Sequence, residues 1–90
     1  MNFAWDKNKE AINRQKHELS FNEAASVFSD PLALTFNDPD HSIDEHRLLT
    51  FGVTRNNKLI IVSHTENNGS IRIISARTMG KHERKIYEEG

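Results

Sequence analysis

An α+β fold follows from three observations on this 90-residue chain. Two helix-opening signals stand in its first thirty residues, runs rich in β-branched residues separated by turn signals follow residue 46, and a basic segment with helical spacing comes last. Taken in order, Asn2 to Trp5 reads as a short strand. Asp6 then offers a side-chain acceptor to the free amides of a helix running to about His17. That helix is mostly polar. Its few apolar residues, Ala11 and Ile12, cannot hold it alone, so Trp5, Leu19 and Phe21 at its ends are expected to pin it to the core.

Ser20-Phe21-Asn22-Glu23 is a capping-box sequence, in which serine and glutamate satisfy each other's orphan amides; it opens a second helix to about Ser29, with Phe21, Ala24, Ala25 and Phe28 facing inward. Asp30-Pro31 and Asp38-Pro39 read as element boundaries and bracket Leu32 to Phe36, an expected edge strand. The runs from Arg47 to Val53 and from Leu59 to His64, separated by Arg55 to Lys58, predict a hairpin. The turn Glu66-Asn67-Asn68-Gly69 leads to a third run, Ile71 to Ala76, giving an antiparallel meander. Thr78 is the expected cap of a last helix from about Met79 to Glu88.

Bulk properties bound the reading. A chain this short buries roughly 60–70% of its unfolded surface, so residues 1–90 are expected to form a single domain. It has no cysteine, which leaves no disulfide and no thiolate metal site, and the fold must rest on its apolar core or on a partner. No apolar run approaches the ~18 residues that span a bilayer, and no targeting segment stands at the start, so a cytoplasmic protein without a membrane partner is expected. The net charge is −1, but residues 1–45 hold four Lys/Arg against nine Asp/Glu and residues 46–90 hold eight against four. The halves are therefore −5 and +4, and a local cationic field can exist on a nearly neutral chain.

Four constellations bear on chemistry. Asp6, Lys9, Asn13 and Lys16 share one helical stripe that could grip an anion, or simply form a capped, solvated face. The segment 37–46 gathers Asp38, Asp40, His41, Asp44, Glu45 and His46, but the spacing fits neither the helical His pair of zinc hydrolases nor a calcium-loop pattern; no metal and no cofactor are expected, with a metal-dependent hydrolase built on His41, Asp44, Glu45 and His46 the minor alternative. His64 ends an apolar run, where an imidazole transfers protons or is hydrogen-bonded for structure. The strongest group is Arg72, Arg77, Lys81, Arg84 and Lys85, of which the last four follow one helical face if the helix begins near Thr78. Forked, permanently charged donors of this kind bind phosphate and stabilise the phosphorane formed when an RNA 2′-hydroxyl attacks its neighbouring phosphate. Such a reaction also needs a proton acceptor and donor; His64, Tyr87, Glu83 or a lysine are open to those roles.

One family shares this order of residues. Trp5-Asp6, Lys9, Asn13 and Lys16-His17, then Phe21, Ala24, Val27-Phe28 and Asp30, then Glu45 and Arg47, then Arg72-Ile73-Ile74-Ser75-Ala76-Arg77 and Glu83-Arg84 with Tyr87 resemble the BrnT toxins over nearly the whole chain. The resemblance implies a type II toxin with a RelE-like fold that cleaves RNA, without a metal, and so inhibits translation. It further implies neutralisation by a BrnA-like ribbon-helix-helix antitoxin in a hetero-oligomer, which reaches operator DNA through the antitoxin. The alternative is a non-catalytic antitoxin-binding module or co-repressor.

Residues matching the family's charged motif positions are Lys9, Lys16, His17, Arg47, Arg77, Glu83 and Arg84. The expected catalytic set is accordingly Arg47, Arg77 and Arg84 on the scissile phosphate with His64 or Glu83 moving protons, while Lys9, Lys16, Arg72, Lys81 and Lys85 bind RNA. Where the family follows Lys-His with glycine, this chain has Glu18, so the helix end is expected to lack its left-handed glycine cap and to turn differently.

Overall fold

In the computed structural model, which describes residues 1–40 and 46–90, the strands are β1 (Asn2–Trp5), β2 (Leu34–Asn37), β3 (Leu48–Val53), β4 (Leu59–Asn67) and β5 (Ser70–Thr78). The helices are α1 (Lys7–His17), α2 (Phe21–Ala25), continued by a 3-10 turn over Ser26–Ser29, and α3 (Lys81–Glu89). The strands form one sheet in the order β1-β5-β4-β3-β2. The expected meander β3-β4-β5 is present, and β2 adds antiparallel to β3, two residues later at its start than the sequence indicated. The sequence assigned β1 no partner. It pairs parallel with β5, Asn2 opposite Ser70 and Trp5 opposite Ile73, so the sheet as a whole is mixed.

Helices α1 and α2 cover one face of the sheet. Leu19, Phe21, Ala24, Val27, Ile60, Val62, Ile71, Ile73 and Ala76 form the main core there, with Trp5, Ala25 and Phe28 packed against it. Burying a side chain such as Phe21, which is 0% exposed, contributes about 2–3 kcal/mol. The expected anchoring of α1 holds: Asn13 is its only buried residue, while Leu19 and Phe21 at its end are fully inside and Trp5 meets the Phe21 ring edge-on at 6.1 Å. The other face carries a smaller cluster of Phe51, Ile61 and Met79, flanked by Leu34, Leu49, Leu59 and Tyr87, and lies under α3. No residue of α3 is buried, and no described helix is long and apolar enough to cross a membrane.

Local chemistry explains the boundaries. Asp6 caps α1 by accepting from Asn8 N–H at 2.7 Å and Lys9 N–H at 3.2 Å. At the far end Glu18 itself takes the left-handed conformation, φ 55° and ψ 33°, and donates its N–H to the Arg14 carbonyl. The helix thus ends as a glycine would end it, contrary to the expectation, because the closing hydrogen bond outweighs the steric cost at one residue.

Ser20 caps α2 through Glu23 N–H, but only half of the capping box forms. The Glu23 carboxylate turns inward to accept from the Thr54 hydroxyl at 3.0 Å, tying α2 to the β3–β4 turn. The second helix shortens because only Phe21 to Ala25 are α-helical before the 3-10 turn. Thr78 is not a cap: β5 runs through it, and Gly80 precedes α3, whose Glu83 side chain accepts the Gly80 N–H at 2.7 Å.

Two features of β5 shape the surface beside α1. Ser63 pairs with Ser75 and His64 with Ile73, leaving Ile74 as the extra residue of a bulge. Ile73 and Ala76, three apart, therefore both enter the core, which strict alternation forbids. Beyond Ile73, β1 has ended, and on that side the N–H of buried Ala76 meets no strand; Asn13 of α1 accepts it at 3.0 Å and donates its own amide to the Leu19 carbonyl at 3.3 Å. A side chain thus takes over where the edge strand stops.

Candidate functional site

Alongside that junction lies a cleft of about 330 Å³, lined by Lys9, Ile12, Asn13, Lys16 and His17 of α1, Ile74 and Ser75 of the bulge, and Arg47 just before β3. Three cations and an imidazole from distant parts of the sequence thus share one depression, and among the described residues no carboxylate lines it. Lys9, Lys16 and His17 project together because they recur at helical spacing on α1; the cap at Asp6 and the buried Asn13 fix that helix against β5. The expected polar stripe therefore divides its labour, with Asp6 and Asn13 structural and the two lysines facing the cleft. The Asp6 carboxyl is held below its ordinary pKa first by the amide of Lys9 and then that of Asn8, with smaller contributions from the Lys9 and Arg72 charges. Arg72 itself is exposed on β5, level with Ala4 and Thr65.

Arg77 stands apart from the helical face on which the sequence placed it, because α3 begins only at Lys81. It lies on β5, paired with Ile61, on the face that α3 overlies. Ser75, at the cleft, is two residues away along the strand, roughly 7 Å. Both terminal nitrogens of the Arg77 guanidinium donate to Glu83, at 2.8 and 2.6 Å, a forked pair. Arg77 holds the Glu83 carboxyl at about 2, with the Gly80 amide assisting, and Glu83 in turn raises the Arg77 pKa. Glu83 is thus an ionised strut and not a carboxyl poised to exchange protons. Lys81, Arg84 and Lys85, with Glu88, line a separate groove of about 370 Å³ along α3, the helical spacing the sequence predicted for those three.

His64 is 0% exposed. Its Nε2 lies 2.7 Å from the Thr50 hydroxyl, which in turn lies 2.8 Å from that of Thr35, and its ring meets Phe28 edge-on. Burial pushes its pKa down to about 4. Of the two roles open to this imidazole, the geometry displays the structural one, and the ring has no path to a solvent-borne substrate. Tyr87 is likewise engaged: its hydroxyl donates to Asp30 at 2.6 Å, and that hydrogen bond, then burial, push it up to about 12. Burial opposes ionisation of Asp30, but hydrogen bonds from Tyr87, Leu32 N–H and Val53 N–H outweigh it, and its pKa is lowered.

Of the candidate metal ligands in the segment 37–46, His41, Asp44 and Glu45 lie outside the described residues, and among the described residues no three His, Asp or Glu side chains come together to hold a metal. Sequence reasoning missed three lining residues, Ile12, Ile74 and Ser75. A signal for the second was present: Ile73-Ile74 puts two apolar residues in succession within an alternating run, the mark of a bulge.

Comparison with known proteins bears on this arrangement. The family model described as "Ribonuclease toxin, BrnT, of type II toxin-antitoxin system" matches residues 5–83. The crystal structure of the Brucella abortus ribonuclease toxin BrnT superposes with a TM-score of 0.70 at 25% sequence identity, covering 90% of this chain and 99% of that one. No curated protein sequence matches.

Proposed function

Because the chain belongs to the BrnT family of ribonuclease toxins of type II toxin–antitoxin systems, we propose that it is an endoribonuclease whose scissile phosphate sits in the cleft between α1 and the β5 bulge. The observation that supports this is the gathering of Lys9, Lys16, His17 and Arg47 around one depression. Arg47 supplies a planar fork for the non-bridging oxygens, and the two lysines add charge where the phosphorane becomes more negative. Arg77, about two residues along the same strand and oriented by Glu83, takes the next phosphate, and Lys81, Arg84 and Lys85 carry the flanking strand.

His17 replaces His64 in the proton role, since it is exposed in the cleft while His64 is sealed in the core. As the 2′-oxygen bonds to phosphorus, its proton passes to the His17 imidazole; the bond to the 5′-oxygen breaks and that oxygen takes a proton from the cationic rim or from water. No metal ion enters this scheme. The wider reading is that cleavage inhibits translation, and that a BrnA-like ribbon-helix-helix antitoxin masks the cationic face and carries the pair to operator DNA.

Purified protein should cleave RNA in the presence of EDTA. Arg47→Ala and His17→Ala should each lower the rate by about 100-fold or more with the circular dichroism spectrum retained. Undiminished cleavage by Arg47→Ala would remove the reaction from this cleft, and loss of activity in EDTA would bring back a metal. Overexpression should arrest growth, which a module that only docks an antitoxin would not do.

A further inference from the structure

A site that only gripped phosphate would need cations and amides, yet the cleft has two isoleucines in its wall. Ile12 is 56% exposed on α1. It is the one large apolar side chain of this helix, the fold leaves it in water, and the main core makes no use of it. Ile74 comes from the other side, and its position is the product of the bulge: without the inserted residue, β5 could not send Ile73 and Ala76 inward while leaving Ile74 at the cleft. Bulges of this kind re-aim a side chain at the expense of ladder pairing. This one is pinned in place by the Asn13 side chain on Ala76 N–H, one residue past the cleft. Two apolar walls from separate elements, with Ser75 beside them and Lys9, Lys16, His17 and Arg47 around them, match the two-part character of a nucleotide, an apolar-faced base joined to an anion.

We propose that Ile12 and Ile74 form a platform for one nucleobase of single-stranded RNA, seated when its phosphate lies on the cationic rim. The volume, about 330 Å³, is at the small end of the ~300–1,000 Å³ typical of ligand sites and suits one nucleotide unit. Aliphatic walls contact any base face and offer no hydrogen-bond code, so the platform favours a base over no base and discriminates little among the four. This inference rests on the reading that RNA occupies the cleft, and its test is built to fail separately from that reading.

Fluorescence anisotropy at fixed salt compares two uncleavable 2′-O-methyl probes, a six-nucleotide oligouridylate and an abasic strand of equal length. The parent should bind the base-bearing strand roughly 5- to 10-fold more tightly, about the contribution of one small apolar contact. Ile12→Ser and Ile74→Ser should each erase most of that preference while leaving affinity for the abasic strand and the salt slope unchanged. Ile12→Phe, which adds a ring for stacking, should enlarge the preference. Ile12 is exposed, so its variants keep the test decisive even if Ile74→Ser loosens the fold. Equal binding of both probes by the parent, or equal weakening of both by the isoleucine variants, overturns the platform. The cleft as the RNA site fails differently: Lys9→Ala, Lys16→Ala and Arg47→Ala would then weaken neither probe, whereas the proposal expects each to weaken both and to flatten the salt slope by about one charge.

Discussion

Replacing Asn13 by alanine should cost this fold about 3 kcal/mol, more than any other single polar change on α1. Asn13 is 6% exposed, accepts the N–H of fully buried Ala76 at 3.0 Å and donates to the Leu19 carbonyl at 3.3 Å. Truncation leaves a buried amide and a buried carbonyl with no partner. An unmet buried group costs about 1–3 kcal/mol, and the longer of the two bonds sits at the low end of that range. The total is a large fraction of the roughly 5–10 kcal/mol expected for a chain of this size.

Urea unfolding followed by circular dichroism is the assay. With a slope of about 1.5 kcal/mol/M, the midpoint should fall by roughly 2 M at constant slope. Lys9→Ala and Lys16→Ala, on the same helix but facing the cleft, should stay within about 0.5 kcal/mol of the parent. Asn13→Leu is the critical control, because it fills the volume without making either bond. If the leucine variant is as stable as the parent, packing and not hydrogen bonding holds α1 to the part of β5 beyond the end of β1, and the reasoning is wrong.

Three further outcomes are expected. Gly52→Ala should destabilise by about 1–3 kcal/mol in the same assay, because an added Cβ would lie 3.0 Å from the Val27 Cβ and 3.4 Å from Asp30 Oδ2, where the 3-10 turn closes on β3. Glu18→Gly should raise stability by up to about 1 kcal/mol, and the midpoint with it, since it relieves a side chain held at φ 55°. Acid titration should show two windows. His64 has a depressed folded pKa of about 4, so stability it permits at neutral pH is lost between about 6.5 and 4 as the unfolded chain takes up the proton first. Glu83 loses its contribution lower, between about 4.5 and 2. Glu83→Gln should flatten only the lower window; flattening of both would show that the two groups do not titrate independently.

Sequence signals are legible wherever the deciding interaction is local. Asp6 caps α1, Asn68-Gly69 supplies the two positive-φ residues of the β4–β5 turn, and the two Asp-Pro pairs bracket β2. The departures depend on partners far along the chain. Glu23 fits a capping box with Ser20, yet it turns to Thr54, thirty-one residues away, because a buried carboxylate gains more from a partner inside than from an amide at the helix end. Arg77 fits a helical face with Lys81, but the bulge-bearing strand continues through it. The cleft is half legible: its charged members stand in the motif positions, while Ile12 looks like a weak anchor and Ile74 like one more core strand residue. Neither assignment can be made before β5 is placed beside α1.

The parallel pairing of β1 with β5 also dictates the order in which this chain can mature. Asn2 waits for Ser70, 68 residues later, and α1, which is fastened to β5 through Asn13, has no strand to lie upon until β5 has been synthesised. Contacts of such long sequence separation slow folding, since loop closure must precede the stabilisation it makes possible. At about 5–20 residues per second, the ribosome needs several seconds to supply that partner. The cleft, made from α1, the approach to β3 and the bulge of β5, cannot exist on a shorter nascent segment. The cleft is therefore among the last parts of this chain that can be completed.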